Sequence, residues 1–204
     1  MDLKETYNRI AEDWHKDHLH DDWWIQDNDT FIKNLPTDAR VLDVGCGSGV
    51  KSKYLIDHGL KVTGIDISEK LLEIARREVP EAEFRVLSMT DLDLIPEMFD
   101  GVFAQASLLH IPKKDAEEIV KQMAKRLVPG GLLYIAVKEL RAGNSEEEIV
   151  KENDYGYEYE RFFSYFTMDE LERYLTEAGL QVISKLRNPN KSGKTVWLQI
   201  IGRK

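Results

Sequence analysis

The chain has 204 residues, 42% of them hydrophobic, which is enough for one sizeable core and short for two domains. It carries 28 basic against 37 acidic residues for a net charge of -9, with no lysine or arginine block, so a nucleic-acid partner is disfavoured. One cysteine, Cys46, excludes an intrachain disulfide, no apolar run approaches the ~20 residues of a membrane span, and "MDLKETYNRI" lacks the apolar centre of a secretion signal; a cytoplasmic protein is expected.

Residues 1–34, dense in Trp, Tyr, His and Asp, read as one or two helices forming a cap ahead of the first strand. Strands are then expected at "RVLDV" (40–44), "KVTGID" (61–66), "AEFRVL" (82–87), "DGVFAQ" (100–105), "GLLYIAVK" (131–138), "QVISKLR" (181–187) and "KTVWLQIIG" (194–202). Helical patterns at 50–58, 68–78, 114–127 and 167–177 alternate with them, in the manner of a doubly wound α/β sandwich with helices on both faces of a mostly parallel sheet. Gly179 stands where a helix C-cap is expected, and "NPNKSG" (188–193) reads as the turn of a final antiparallel hairpin. Residues 139–166 interrupt the alternation as a long acidic and aromatic connection, a lid-like insertion in one domain spanning 1–204.

The stretch "VLDVGCGSGV" (41–50) breaks from a buried strand into glycines at 45, 47 and 49. Glycine admits φ > 0 and lets another molecule approach the main chain. In an open α/β sheet, ligands lie beyond the carboxyl ends of the strands, where the strand order reverses. The dinucleotide fingerprint G-x-G-x-x-G turns helix amides toward a pyrophosphate, but here the spacing is one residue tighter and Asp43 stands two residues before the first glycine. An acid is repelled by a phosphate and favoured beside an ammonium group, which predicts a cationic, phosphate-free ligand. Asp66, 21 residues after Gly45, suits ribose hydroxyls, and Ile67 suits an adenine face. A cofactor with adenosine at one end and an amino acid at the other satisfies both acids, and S-adenosylmethionine has that makeup.

In "VLDVGCGSG", "GIDIS", "FDGVFAQASLLHIP" and "LVPGGLLYIAV", in order and at natural spacing, the chain resembles the class I S-adenosylmethionine-dependent methyltransferases across nearly its whole length. The resemblance implies a seven-stranded, Rossmann-like sheet whose last strand is antiparallel. It implies that Asp43, Gly45, Cys46, Gly47 and Gly49 surround the methionine part, that Asp66 holds the ribose and that Ile67 packs on adenine. Many relatives carry an Asp after the third strand to accept from the adenine amino group. This chain has Ser88 there, followed by Met89 and Thr90 whose backbone can read the adenine edge, with Asp91 available by a register shift. Gln105 falls beside the site of transfer. "TYNRIAEDW" is similar to the family's pattern of two aromatics on a closing helix. Tyr7 and Trp14, two helical turns apart, would cover the cofactor or serve as core aromatics.

His15, His18 and His20 with Asp17, Asp21 and Asp22 suggest a metal site, but without a second cluster a solvated helix end is the better reading, and no metal is expected. Cys46 reads as a small packing residue rather than a nucleophile, and "SEEE" (145–148) as solvated lid surface. Trp23 and Trp24 suit either a substrate pocket or an anchor for the N-terminal helices. His110 is the candidate general base, with a structural histidine as its alternative. Tyr159 and Arg161 are expected around the acceptor, with Arg161 pairing either an acceptor carboxylate or an acidic neighbour. The resulting expectation is methyl transfer to an oxygen or nitrogen of a small molecule, with no membrane partner; RNA or protein methylation, or cofactor binding without transfer, are the alternatives.

Overall fold

The computed structural model describes residues 2–21, 24–189 and 195–204. Two helices, α1 (Leu3–His18) and α2 (Ile25–Lys33), precede β1 (Arg40–Val44). The chain then runs α3 (Val50–Asp57), β2 (Lys61–Asp66), α4 (Glu69–Glu78), β3 (Glu83–Val86), β4 (Phe99–Gln105), α5 (Lys113–Lys125) and β5 (Leu127–Lys138). It closes with β6 (Glu147–Glu152), β7 (Tyr159–Ser164), α6 (Met168–Glu177), β8 (Gln181–Pro189) and β9 (Val196–Arg203).

Seven strands form one sheet in the order β3-β2-β1-β4-β5-β9-β8, with β9 antiparallel to both its neighbours and the other pairings parallel. The sheet buries both faces because its strands alternate in what they pack against. In β5, Leu133, Ile135 and Val137 join Ile119 and Val120 of α5 and Leu171 of α6, while Leu132, Tyr134 and Ala136 join Phe31 of α2 and Leu55 of α3. Local signals set the helix ends: the Thr167 hydroxyl and the Glu170 carboxylate close a capping box on α6, and Gly179, at φ 79°, turns the chain away after it. The seven expected strands and four expected helices all form. The turn expected at 188–193 falls mostly on residues 190–194, outside the described residues.

The connection at 139–166 is not a loop. Its sequence folds into β6 and β7, a separate two-stranded antiparallel sheet with Glu147 opposite Ser164 and Glu152 opposite Tyr159. β6 reads "EEIVKE" and is mostly exposed, so it lacks the period-two alternation by which a half-buried strand is recognised. No helix among the described residues is long and apolar enough to cross a membrane.

Strand order reverses between β1 and β4, so the loops after these two strands diverge and leave a crevice at their carboxyl ends. Helix α1 lies beside it, packed through Ala11 on Leu71 and Ile74 of α4. Asn8 fixes that contact: its side-chain oxygen accepts from the Ser68 hydroxyl (2.8 Å) and the Lys70 amide (3.1 Å), and its nitrogen donates to Glu69 (3.1 Å).

Candidate functional site

The crevice is a cavity of about 270 Å³, floored by the loops after β1, β2, β3 and β4 and walled by α1 and the β6–β7 hairpin. In the glycine loop, the amides of Gly45 and Cys46 donate to the Ile65 carbonyl (2.8 and 3.0 Å) and that of Gly47 to Asp66 Oδ2 (2.9 Å). Three amides that a phosphate would need are therefore already bonded to β2. Gly45, Gly47 and Gly49 all have positive φ. A Cβ on Gly45 would stand 2.4 Å from Cβ of Ser107, and one on Gly47 would lie 3.4 Å from the Trp14 ring. The loop after β4 supplies the opposing surface through Ala106, a non-glycine residue at φ 55°, whose amide is held by the Ala136 carbonyl (2.9 Å). Left-handed backbone at alanine costs roughly 1–2 kcal/mol, and here it aims Ser107 across Gly45.

The glycine-loop half of the cavity is acidic. Asp43 is buried, accepts from the Ser52 hydroxyl (2.6 Å) and is pushed up to about 7 by burial, with Ser52 and the Lys51 charge opposing. Asp66 is also raised by burial, against the amides of Ser68 and Gly47 that donate to it. Lys51 enters the same half, its ammonium lowered by burial against the pull of Asp21 and Asp43. Gln105 is buried on the cavity wall with neither amide atom hydrogen-bonded, and the Ser107 hydroxyl is likewise without a partner. Buried polar groups left in this state, beside an acid held near neutrality, fit a polar, cationic guest that completes their bonding.

The opposite half joins side chains from four distant segments. His110 Nδ1 lies 2.7 Å from the Phe162 carbonyl, which can only accept, so Nδ1 carries the proton and Nε2 accepts from the Tyr7 hydroxyl at 2.8 Å. Arg161 Nη1 reaches the Tyr7 oxygen at 3.5 Å. Burial, with help from the charges of Arg161 and Lys138, brings His110 down to about 3, so its imidazole is neutral. Arg161 itself is clamped bidentately by Glu152, at 2.6 and 2.5 Å. The hairpin is tied to the core by the Ser164 hydroxyl on the Ile111 carbonyl (2.6 Å), and to α1 by the Tyr157 hydroxyl on Asp13 (2.9 Å) and Arg9 on the Glu158 carbonyl (3.1 Å).

Of the residues singled out from sequence, Tyr7, Trp14, Asp43, Gly45, Cys46, Gly47, Asp66, Ile67, Ser88, Met89, Gln105, His110 and Arg161 all line the cavity. Gly49 does not: a Cβ there would stand 3.2 Å from Ala75 and Val79, so it serves the packing of α3 on α4. Thr90 donates its amide to the Ser88 hydroxyl (3.2 Å) outside the wall, Asp91 is exposed, and Tyr159 stacks on Tyr155 (centroids 5.4 Å apart) away from the cavity. Arg161 takes the acidic neighbour of its two expected partners. Cys46 packs with Leu72, Ala75, Val79 and Phe84, its thiol pushed up by burial.

His15 is a correction, since it belongs to no solvated helix end: it is buried and lies 2.9 Å from the Ser48 hydroxyl, pinning α1 to the glycine loop. His18 stacks on Trp14 (4.3 Å) and lines the cavity. Trp24 is buried edge-on to Tyr54 (5.0 Å); Asp22 and Trp23 lie outside the described residues. Among the described residues no group of three His, Cys, Asp or Glu could hold a metal. Sequence reasoning missed Lys51, Ser107, Lys138, Phe163 and Trp197; the one signal available was that Ser107 and Lys138 stand just after and at the carboxyl ends of β4 and β5.

A family model described as "Methyltransferase domain" matches residues 41–131. A ubiquinone biosynthesis O-methyltransferase of Idiomarina loihiensis is 37% identical over 115 residues, 52% of this chain and 46% of that protein. The protein of the same name from Xanthomonas campestris is 39% identical over 103 residues, 48% and 42% of the two chains. The chain thus spans about half the length of the curated relatives it matches. Among solved structures, 1,6-didemethyltoxoflavin-N1-methyltransferase of Burkholderia thailandensis, with bound 1,6-didemethyltoxoflavin and S-adenosylhomocysteine, superposes with a TM-score of 0.78 at 21% identity, covering 99% of this chain and 87% of that one. The N-methyltransferase NodS of Bradyrhizobium japonicum gives 0.75 at 17% identity, covering 100% and 99%. At these identities the structures bear on the fold alone.

Proposed function

We propose that this chain, which belongs to the class I S-adenosylmethionine-dependent methyltransferase family, binds S-adenosylmethionine in the glycine-loop half of its cavity and transfers the methyl group to an oxygen or nitrogen of a small molecule held in the hairpin half. The observation that carries this reading is the pair of buried carboxylates, Asp43 and Asp66, facing one cavity whose loop amides are already spent on β2. Asp43 and Lys51 are an acid and a cation suited to the two charges of an amino-acid end. Asp66 keeps lone pairs for ribose hydroxyls beyond those taken by Gly47 and Ser68. Ile67, Leu87 and Met89 offer an apolar slot for the adenine, with Ser88 at its edge.

When bound, the cofactor supplies an electrophilic methyl carbon. What the chain contributes is position and dryness: Tyr7, Trp14 and His18 of α1 close the cavity from water, and Gln105 and Ser107 present unsatisfied polar atoms between its two halves. A proton leaving the acceptor would pass to the Tyr7 oxygen while the Tyr7 hydroxyl hands its own to His110 Nε2. With a value of about 3, His110 is a weak base, which suits an acceptor that is already ionised or that loses its proton after the methyl group arrives.

The test is calorimetric titration of the purified protein with S-adenosylmethionine, S-adenosylhomocysteine and NAD, followed by methyl-labelled cofactor offered to small-molecule, RNA and protein fractions of a cell extract. Binding of the first two and label in the small-molecule fraction is the expected result. Binding of NAD alone overturns the cofactor assignment, and label confined to RNA or protein overturns the acceptor class.

A further inference from the structure

Among the described residues, the hairpin half of the cavity holds one cation with no carboxylate in contact with it. Lys138, the last residue of β5, reaches the cavity with its ammonium 3.8 Å from the centre of the Phe163 ring. Among the described residues no carboxylate lies within ion-pair distance of it, and no hydrogen bond from its nitrogen is made. Its neighbours do not compensate: Arg161 is neutralised by Glu152, and His110 is uncharged. The cavity's acids, Asp21, Asp43 and Asp66, belong to the other half. The ring contact with Phe163 returns roughly 0.5–2 kcal/mol, little against the several kcal/mol of removing a charge from water. Burial and the Arg161 charge accordingly bring the Lys138 ammonium down to about 8, opposed by Glu152 and Glu148. Around it the wall is aromatic, with Tyr7, Phe163 and Trp197, the last paired with Lys138 across β5 and β9.

We propose that Lys138 is the counter-ion for the acceptor, which is a flat aromatic molecule bearing an oxyanion, a ring carboxylate or an ionised ring hydroxyl, seated on the ammonium and against Tyr7, Phe163 and Trp197. This rests on the reading of the cavity as a methyl-transfer site. It adds that the acceptor half selects for negative charge, and that Lys138, not Arg161, does the selecting. An anion on Lys138 gives that ammonium the ion pair it lacks among the described residues, while a neutral ring of the same shape leaves it as it is.

The test uses benzoate, 4-nitrophenolate and neutral benzamide as probes, titrated into the whole protein with and without S-adenosylhomocysteine. The wild type is expected to bind at least one of the two anions roughly ten- to hundredfold tighter than benzamide, the factor for a hydrogen bond to a charged group. Preference for benzoate identifies a carboxylate and preference for 4-nitrophenolate an ionised hydroxyl. Lys138→Met, which keeps the stem against Phe163, should erase the preference and leave S-adenosylhomocysteine binding within about twofold, and Lys138→Arg should restore it. Equal affinity of the wild type for anions and benzamide, or an equal loss of all three probes in Lys138→Met, overturns the proposal by reducing Lys138 to packing. Should Lys138→Met fail to fold, the wild type decides: anion affinity must fall as pH rises through about 8 while that of benzamide stays level. Arg161, raised by its pairing with Glu152, keeps its charge across that range, Tyr7 is held above the ordinary phenol value by burial, and His110 stays neutral. Failure of S-adenosylhomocysteine to bind, with the anion preference intact, would remove the cofactor reading and leave the anion site standing.

Discussion

The two halves of the cavity are built in different ways. The glycine-loop half comes mainly from backbone and short side chains of two stretches, 43–47 and 66–67, held by hydrogen bonds between adjacent strands, with Lys51 entering from α3. The hairpin half comes from single side chains, Tyr7, His110, Lys138, Arg161, Phe163 and Trp197, brought together from α1, the loop after β4, β5, β7 and β9. A site made of backbone tolerates almost no change of residue but needs little support. One made of converging side chains can vary its chemistry freely, provided the elements carrying them stay docked. The first arrangement suits a fixed ligand and the second a variable one.

The sharpest way to break the comparison is in the backbone half. Gly45→Ala combines φ 74° with a Cβ 2.4 Å from that of Ser107, which Ala106 holds in place. Left-handed strain and overpacking together should lower stability by about 2–5 kcal/mol in urea unfolding, and cofactor affinity with it. A variant as stable as the wild type would show that the loop can shift.

The two halves also respond oppositely to acid. Asp43, raised from an ordinary 3.8 to about 7, keeps a proton in the native state that the unfolded chain has released, so its contribution to stability falls as pH rises through that window. His110, lowered from 6.5 to about 3, lacks a proton that the unfolded chain binds, so its contribution falls as pH drops from 6.5. Between about 4 and 6.5 the two oppose each other, at up to roughly 1.4 kcal/mol per pH unit each. Asp43→Asn should therefore steepen the acid loss of stability relative to wild type, and His110→Gln should reverse it, leaving a protein that weakens toward neutral pH. Unfolding curves at several pH values check both, and parallel profiles for the three proteins would refute the opposition.

Within the hairpin half, Arg161→Met leaves Glu152 without its partner. Both side chains keep some exposure, 15% and 18%, so the cost should be about 2 kcal/mol, below that of a fully buried pair. S-adenosylhomocysteine affinity should hold while hydrogen exchange in β6 and β7 rises; a loss of cofactor affinity would mean that the halves are coupled. The smallest effect is expected from Tyr157→Phe, which removes the bond to Asp13 between hairpin and α1. It should cost roughly 0.5–1 kcal/mol, seen as faster exchange at residues 155–159 with no change in the core.

Sequence alone determined the alternating framework and the glycine-loop half of the site. Both are written in local signals: apolar strands, capping residues such as Thr167 and Glu170, and a loop where only glycine fits the backbone beside Asp43. The hairpin at β6 and β7 escaped because "EEIVKE" is polar on both faces and its strand character comes from pairing with β7. The burial of His15 escaped because it depends on Ser48, 33 residues away, and Lys138 looked like any charged residue ending a strand. Tertiary structure decided these, since a side chain's charge balance and pKa depend on which groups surround it. For Lys138 those groups come from α1, the loop after β4, β6, β7 and β9, and no local stretch of chain encodes them together.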